Sequence, residues 1–256
     1  MTSTVVATPS VDPADLGTRE RDVVHAAVGA RSFLCTGAWT PRIAGGAFEL
    51  YVDRGRWTAA GERARRGLRL AGGAALFNLR IAVATLGRRP VTTLLPSPSR
   101  HELLASVRMG APIERPDELT QLHAVLSGTS MRPFPGSAPL PPSVPHALRR
   151  AVQLEGCWLK RVDQGGSEDL RAELGLGYEV TGSTRMLAVL GSYHDLPAAQ
   201  LSAGQAGQHL ALTAARCGLV TSMLPAALSA PTVRTALVRS LGRSLYPQMM
   251  LRIAAP

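Results

Sequence analysis

Lysine is almost absent from this sequence, and so are the features that mark several common classes of protein. The 256 residues include one lysine, Lys160, against 27 arginines, and aromatic residues make up only 4% of the chain. The formal charge is +10, but the arginines are scattered, and no basic stripe with interleaved aromatic residues is present to bind and stack bases. Nucleic-acid binding is therefore a minor hypothesis, and the arginine excess is typical of high-GC coding bias.

Cysteine is also scarce, and its spacing excludes two further classes of site. Cys35, Cys157 and Cys217 are widely separated and odd in number, which supports neither a disulfide framework nor a zinc site. The six histidines show no metal-ligand spacing, so no metal site is predicted. The sequence opens without a basic start and apolar block, and its longest uncharged run, 196–215, contains proline and several glutamines. We expect a cytoplasmic protein without a membrane span.

Hydrophobic patterns and turn residues predict alternating helices and strands along most of the chain. Helices are predicted at residues 18–31, 60–86, 116–126, 144–155, 201–217 and 231–241. Strands are predicted at residues 47–54, 91–95, 103–107, 157–162, 186–192 and 246–253. Several strand-to-strand connections are too short for a parallel crossover, which predicts an α+β fold with a mixed or antiparallel sheet packed against long helices.

The order helix, strand, helix, strand in residues 18–107 recurs in residues 116–253, which indicates two related halves. We therefore predict a loose N-terminal arm at 1–17, with order beginning at Thr18, a first half at 18–115 and a second half at 116–256. Four glycines lie inside helical patterns and predict close packing there rather than a phosphate-binding loop: Gly72, Gly73, Gly204 and Gly207.

The last third of the chain carries a family resemblance. Its segments run from Arg185 to Leu190, from Gly204 to Leu219 and from Tyr246 to Ile253, in the order strand, long helix ending in Ala-Arg-x-Gly-Leu, short helix, and final strand containing Pro-Gln-Met. In this order and these short matches the chain resembles the nitroreductase superfamily, in particular the Acg-type nitroreductases of actinobacteria, over about residues 23–253. The resemblance implies two nitroreductase-like halves that mimic the usual homodimer, with flavin mononucleotide (FMN) bound at the seam between them.

The first-half flavin motif of this family, Ser-x-x-Asn-Thr-Gln-Pro-Trp, falls on residues 32–39. Three residues match it and are implied to contact the cofactor: Ser32, Thr36 and Trp39. Three depart from it and remove both amide side chains: Cys35, Gly37 and Ala38. Trp39 is alternatively a core residue. Cys35 is either a small buried hydrophobe or a thiol near the flavin or substrate.

The second-half motif of the family, Arg-Arg-Thr-Asn-Arg-Arg-Pro-Phe, falls on residues 127–134. Thr129 and Arg132 match and are implied to bind the cofactor, Arg132 through its phosphate. Three arginine positions of the motif are lost: Ser127, Gly128 and Met131. Arg252 on the final strand is the other phosphate candidate, and it is alternatively a surface residue of an edge strand.

The turn after the long second-half helix supplies the remaining cofactor candidates. The resemblance implies that backbone amides near Gly218 and Leu219 approach the flavin ring, with Thr221 and Ser222 beside them. His194 next to Asp195 is either a loop residue or part of a substrate pocket. The connection at 163–182 is shorter than in Acg-type proteins, which either opens the site or removes it.

Two functions follow. The first is an FMN-dependent oxidoreductase that takes reducing equivalents from NAD(P)H and reduces a small organic acceptor or biosynthetic intermediate. The alternative is a relative that has lost the flavin and serves as a ligand-binding or sequestering protein, or catalyses a non-redox biosynthetic step. Either way the partner is a small molecule, and the chain is a monomer or a homodimer.

Overall fold

A computed structural model describes residues 12–29, 34, 39, 41–128, 140–161, 184–224 and 245–256. Its helices are α1 (Thr18–Gly29), α2 (Arg54–Ala59), α3 (Glu62–Thr85), α4 (Asp117–Leu126), α5 (Ser143–Leu154) and α6 (Pro197–Arg216). Its strands are β1 (Pro41–Ala44), β2 (Ala47–Tyr51), β3 (Arg88–Leu94), β4 (Leu103–Pro112), β5 (Trp158–Arg161), β6 (Thr184–Ser192), β7 (Val220–Met223) and β8 (Tyr246–Ala254).

The strands form two four-stranded sheets with the same topology. The first has the order β1-β2-β4-β3 and the second the order β5-β6-β8-β7, and every neighbouring pair is antiparallel. In each sheet a long helix, α3 or α6, connects the second strand of that half to the third. The predicted α+β class, with antiparallel sheets packed against long helices and two duplicated halves, is confirmed.

The two long helices pack directly on each other through glycine. A Cβ atom on Gly73 would overlap the carbonyl oxygen of Leu201, and one on Gly204 would overlap the carbonyl oxygen of Leu70. The contact is reciprocal, with equivalent residues 131 positions apart, as in the Arg69–Gln200 pair at its centre. Reciprocal contacts of this kind define a two-fold interface between identical subunits, so the crossing is an internal counterpart of a homodimer interface.

The same spacing of equivalent residues recurs where the long helices end. Gly87 follows α3 with a φ of 73°, and Gly218 follows α6 with a φ of 75°. Both residues lie just past the helix in the left-handed conformation that closes a helix C-terminus, which glycine adopts without steric penalty. The duplication therefore extends from the helix crossing into the turns that follow.

Each sheet has an apolar core against its long helix. In the first half, α1 and α3 cover Phe48, Leu50 and Val107 of the sheet. In the second half, α5 and α6 cover Met186, Leu190 and Ile253, among others. Alternate residues of the central strands face these cores, as expected for a sheet packed on one face against helices.

Three short elements were not predicted from the sequence: β1, α2 and β7. Each has four to six residues, too few for a periodic pattern to be distinguished from a turn. Ordered structure also begins before Thr18. Residues Pro13–Asp15, assigned to the loose arm, form a 3₁₀ helix whose first turn is capped by the Asp12 carboxylate at 2.8 Å from Ala14 N. The helix predicted at 231–241 lies outside the described residues.

One described helix, α3, is long and apolar enough to cross a membrane. Its most apolar 18-residue stretch is 83% buried inside the fold, which is typical of the core helix of a globular domain. The apolar character of α3 is thus explained by its contacts with α1, α4 and α6.

Candidate functional site

The predicted site residues divide into those the structure describes and those it does not. Five lie outside the described residues: Ser32, Cys35, Thr36, Thr129 and Arg132. The other six occupy three separate places: Trp39 packed against α3, a group of four at the end of the second sheet, and His194 in the loop before α6.

Trp39 lies where the two halves meet. Its ring would be 3.5 Å from a Cβ atom on Gly72, next to the helix crossing, and it packs against Leu104 of the first half and Leu201 of the second. Leu34, from the same segment, is buried in the core of the second half. The segment to which the first-half motif belongs therefore contributes side chains to the seam, and Trp39 also has a plain packing role there.

The turn at Gly218 does not offer the donors expected of it. The amide of Gly218 donates to Ala215 O at 2.9 Å, and the amide of Leu219 donates to Ala214 O at 3.0 Å. These bonds are the standard closure of a helix C-terminus and occupy both N–H groups. Neither of these two amides is therefore a free donor for a flavin ring, because α6 uses both for its own cap.

Thr221, Ser222 and Arg252 lie at the same end of the second sheet but on different faces. Ser222 pairs directly with Arg252, so both side chains lie on one face, while Thr221 pairs with Ile253 on the face that covers the core. Arg252 donates from Nε to Thr184 Oγ1 at 2.7 Å. The hydroxyl of Thr221 is buried and has no hydrogen-bond partner among the described residues.

These places are far apart along α6. Trp39 packs near Leu201 in the first turns of the helix, whereas Gly218 and Arg252 lie beyond its last turn. A helix of 20 residues is about 30 Å long at 1.5 Å per residue, so most of that length separates them. The described candidates do not form one compact cluster.

His194 lines a pocket that lies wholly in the second half, here named the α6 pocket. Its volume is about 400 Å³, and it is lined by Glu155, Gly156, Ser192, Tyr193, His194, Leu196, Ala198, Ala199 and Ser202. On α6, residues 198, 199 and 202 lie on the face opposite to residues 200, 201 and 204, which contact α3. The pocket is therefore separated from the seam by the helix itself.

The loop that carries His194 is held in place by a set of hydrogen bonds. Ser192 Oγ donates to the His194 carbonyl at 2.7 Å, and Gln248 Nε2 donates to Ser192 Oγ at 2.7 Å. Arg66 of α3 forms an ion pair with Asp195 at 3.0 Å. These contacts fix one wall of the α6 pocket.

The pocket adjoins a buried polar cluster that the sequence interpretation missed. Arg80 of α3 donates to Glu155 Oε2 and, at 2.7 Å, to Gln205 Oε1. His209 Nδ1 lies 3.3 Å from Glu155 Oε1. We name Arg80, Glu155, Gln205 and His209 the Glu155 cluster. Its one sequence signal was the run of glutamines and a histidine in an otherwise apolar helix.

The contacts of this cluster stabilise the ionised form of the Glu155 carboxyl group. Burial alone would raise the pKa of Glu155, but its hydrogen bonds with His209 and Arg80 and the positive charge of Arg80 outweigh burial and hold the pKa below its ordinary value. The His209 ring stacks on Phe77, with centroids 4.6 Å apart, and its Nε2 is buried without a partner in the described part of the chain. Glu155 is therefore ionised at neutral pH, at the edge of the α6 pocket.

Partial alignments relate the chain to several solved structures. No protein-family model and no curated protein matches the chain significantly. Among solved structures, a Parabacteroides distasonis protein assigned as an NADH dehydrogenase/NAD(P)H nitroreductase aligns at 19% identity over 54% of this chain and 87% of its own, with a TM-score of 0.41. B. megaterium NfrA1 aligns at 16% identity over 54% of this chain and 66% of its own, with a TM-score of 0.40.

A third structure, from Desulfovibrio desulfuricans, is assigned as a nitroreductase and was solved in complex with FMN. It is 18% identical over 53% of this chain and 86% of its own, with a TM-score of 0.40. All three alignments have TM-scores of 0.40–0.41 and cover little more than half of this chain. Similarity at this level concerns the fold alone, so the roles of individual residues depend on the contacts in this chain.

Proposed function

We propose that the chain is an FMN-dependent oxidoreductase of the nitroreductase type, which takes reducing equivalents from NAD(P)H and passes them to a small organic acceptor or biosynthetic intermediate. The observation that supports this proposal is the joining of the two halves. The two halves have sheets with the same strand order, and they meet where α3 and α6 contact each other through reciprocal glycines. Leu34 and Trp39 of the first half pack into the second. This is the two-half arrangement for which the resemblance implies a flavin at the seam.

The described residues fit part of an FMN molecule. A guanidinium matches phosphate oxygens, and Arg252 lies on one face with the exposed Ser222 opposite it. The Thr221 hydroxyl is buried on the other face, against the core, and has no partner among the described residues, so it does not face the phosphate that Arg252 would hold. The Gly218 and Leu219 amides do not fit, because they close α6.

We assign Arg252 and Ser222 to the phosphate end of the cofactor and Trp39 to packing at the seam. When bound, FMN would supply reversible two-electron transfer, so the chain needs no side-chain acid of its own for that step. The protein would then bind the phosphate by charge and hold the two halves in position. The apolar cores would exclude water from the seam.

The test is the visible absorbance of the purified protein, followed by titration with FMN. Flavin absorbance, or saturable binding of added FMN, is expected. Loss of the Arg252 charge-assisted bonds, about 1.5 to 3 kcal/mol, predicts that Arg252→Ala binds FMN about tenfold or more weakly. Arg108→Ala is the matched control, because Arg108 is an exposed arginine on a strand of the first sheet. Absence of binding at tens of micromolar FMN would contradict the proposal.

The alternative, a flavin-free relative that binds or sequesters a small molecule or performs a non-redox step, is favoured by two observations. The amides at the Gly218 turn are already bonded, and an open pocket exists in the second half away from the seam. A colourless protein that binds no FMN but binds an organic ligand would support this alternative. Stoichiometric flavin with NAD(P)H oxidation would exclude it.

A further inference from the structure

Exposed apolar side chains concentrate around the α6 pocket. Five large hydrophobic residues are exposed in the described part of the chain: Val91, Leu154, Tyr193, Leu196 and Val220. Tyr193 and Leu196, 54% and 60% exposed, line the pocket, and Leu154 directly precedes Glu155 at its edge. Exposed apolar residues that gather in one place on a globular protein indicate a binding surface.

The pocket has the composition and the rigidity of a small-molecule site. Its volume falls within the range of such sites, and its walls combine apolar side chains with a few polar groups, among them Glu155, His194 and Ser202. Its loop is already held by Gln248 and by the Arg66–Asp195 ion pair. A preformed site avoids the entropy loss of ordering a loop on binding.

Glu155 determines the chemistry that this pocket favours. Each of its carboxylate oxygens has one partner in the cluster, Arg80 on Oε2 and His209 on Oε1. A carboxylate offers about four acceptor positions, so acceptor capacity remains. The N-terminal end of α6 carries partial positive charge and offsets part of the negative charge of Glu155. The affinity of an anionic ligand must therefore be compared with that of an amine.

We propose that the α6 pocket binds a small molecule that carries a primary amine on an apolar, ring-sized body. The body lies against Tyr193 and Leu196, and the ammonium group donates to Glu155. Every residue that lines the pocket belongs to the second half, and the pocket lies on the face of α6 opposite the seam. This site is therefore independent of the proposed flavin site.

The test uses three probes with one ring and three charges: benzylamine, benzyl alcohol and benzoate. Each is titrated into the ¹⁵N-labelled protein while amide shifts are followed by NMR. Saturable shifts are expected at Gly156, Tyr193 and His194, with benzylamine bound about tenfold more tightly than benzoate. The proposal is overturned if no probe saturates, if benzoate binds as tightly as benzylamine, or if the shifts fall outside the pocket.

Substitutions then locate the site. Ala199→Phe adds a ring inside the pocket, leaves all four residues of the Glu155 cluster unsubstituted and is expected to abolish the benzylamine response, with Ser202→Leu as a second filling variant should the first fail to fold. Glu155→Gln is expected to remove the preference for benzylamine over benzyl alcohol. Val91→Ala removes an exposed apolar side chain of the first half and should bind benzylamine as the parent does.

An unchanged response in a folded filling variant overturns the proposal. FMN affinity of that variant, measured in parallel, reports separately on the flavin proposal.

Discussion

The two halves share a backbone plan but differ in what their long helices bury. Both sheets have the same strand order, and both helices carry a glycine at the crossing and another past the C-terminus. Yet α3 buries two polar side chains, Arg69 and Asn78, whereas α6 buries five: Gln200, Gln205, Gln208, His209 and Thr213. Close backbone contact requires the same small residue on both sides, while the side chains around it are free to diverge.

The Glu155 cluster is the clearest case of this divergence. At the spacing of 131 residues, Arg80 of α3 corresponds to Ala211 of α6, and His209 of α6 corresponds to Asn78 of α3. Two members of the cluster thus have counterparts that cannot reproduce its ion pairs, so the internal symmetry does not generate a second copy. A buried charged group present at only one of two related places reflects a demand specific to that half.

The largest effect is expected where the halves are alike. Gly73→Ala and Gly204→Ala each drive a Cβ atom into the backbone of the other helix, where no side-chain movement can relieve the overlap. Each should lower the free energy of unfolding by about 3 kcal/mol or more, measured by urea denaturation. Similar losses at both positions would confirm that the crossing is symmetric in energy as well as in geometry.

Gly67→Ala is the matched control for these two substitutions. Gly67 lies in α3 with no atom within 4 Å of its Cβ position, so alanine should stabilise the helix by about 0.5–1 kcal/mol. If Gly73→Ala were as harmless as Gly67→Ala, the close packing of α3 on α6 would be refuted.

A smaller loss is expected where the halves differ. Glu155→Gln removes the carboxylate charge that contacts Arg80 and His209 and leaves the partly buried Arg80 without its ion-pair partner. Because the Arg80 side chain is 29% exposed and partly solvated, we expect the free energy of unfolding to fall by about 2–3 kcal/mol, less than for a fully buried pair. A double-mutant cycle with Arg80→Met measures the coupling, and additive losses would show that the pair contributes nothing.

Acidification should reproduce part of this loss in the parent protein. The pKa of Glu155 is lowered on folding from an ordinary value of 4.5, so its contribution is fully present above pH 4.5 and is lost as pH falls through the lower folded value. Glu62, whose pKa is lowered by its hydrogen bond with Arg69, acts in the same direction. Urea denaturation across acid pH should therefore show a steeper decline for the parent than for Glu155→Gln, and parallel curves would contradict the assignment.

The smallest expected effect concerns the reactivity of the two thiols of the second half, Cys157 and Cys217. Burial, with the nearby Glu155 charge, raises the pKa of Cys157 to about 12, so the native protein holds almost no thiolate there. Cys157 should remain unmodified by iodoacetamide at pH 8, while the half-buried Cys217 reacts first, as read by peptide mass spectrometry. Labelling of Cys157 at the rate seen in denaturant would show that the end of α5 opens readily.

Much of the fold was predictable because its signals are local. The spacing of apolar residues located α1, α3, α4, α5 and α6, and Gly87 and Gly218 marked helix ends. The candidate site was predictable only in part. The register of β7 on β8 separates Thr221 from Ser222 and Arg252, and a register depends on pairing between distant segments that no local pattern records.

By itself the sequence determined the α+β class, the repeated order of elements and the glycines that allow two helices to touch, because each depends on residue spacing within one segment. Only the tertiary structure decided that the Gly218 turn uses its amides to cap α6, that Trp39 and Arg252 lie at opposite ends of that helix, and that Arg80 meets Glu155. These outcomes depend on which distant groups compete for the same hydrogen bonds and charges, and that competition is settled only when the helices and sheets pack together.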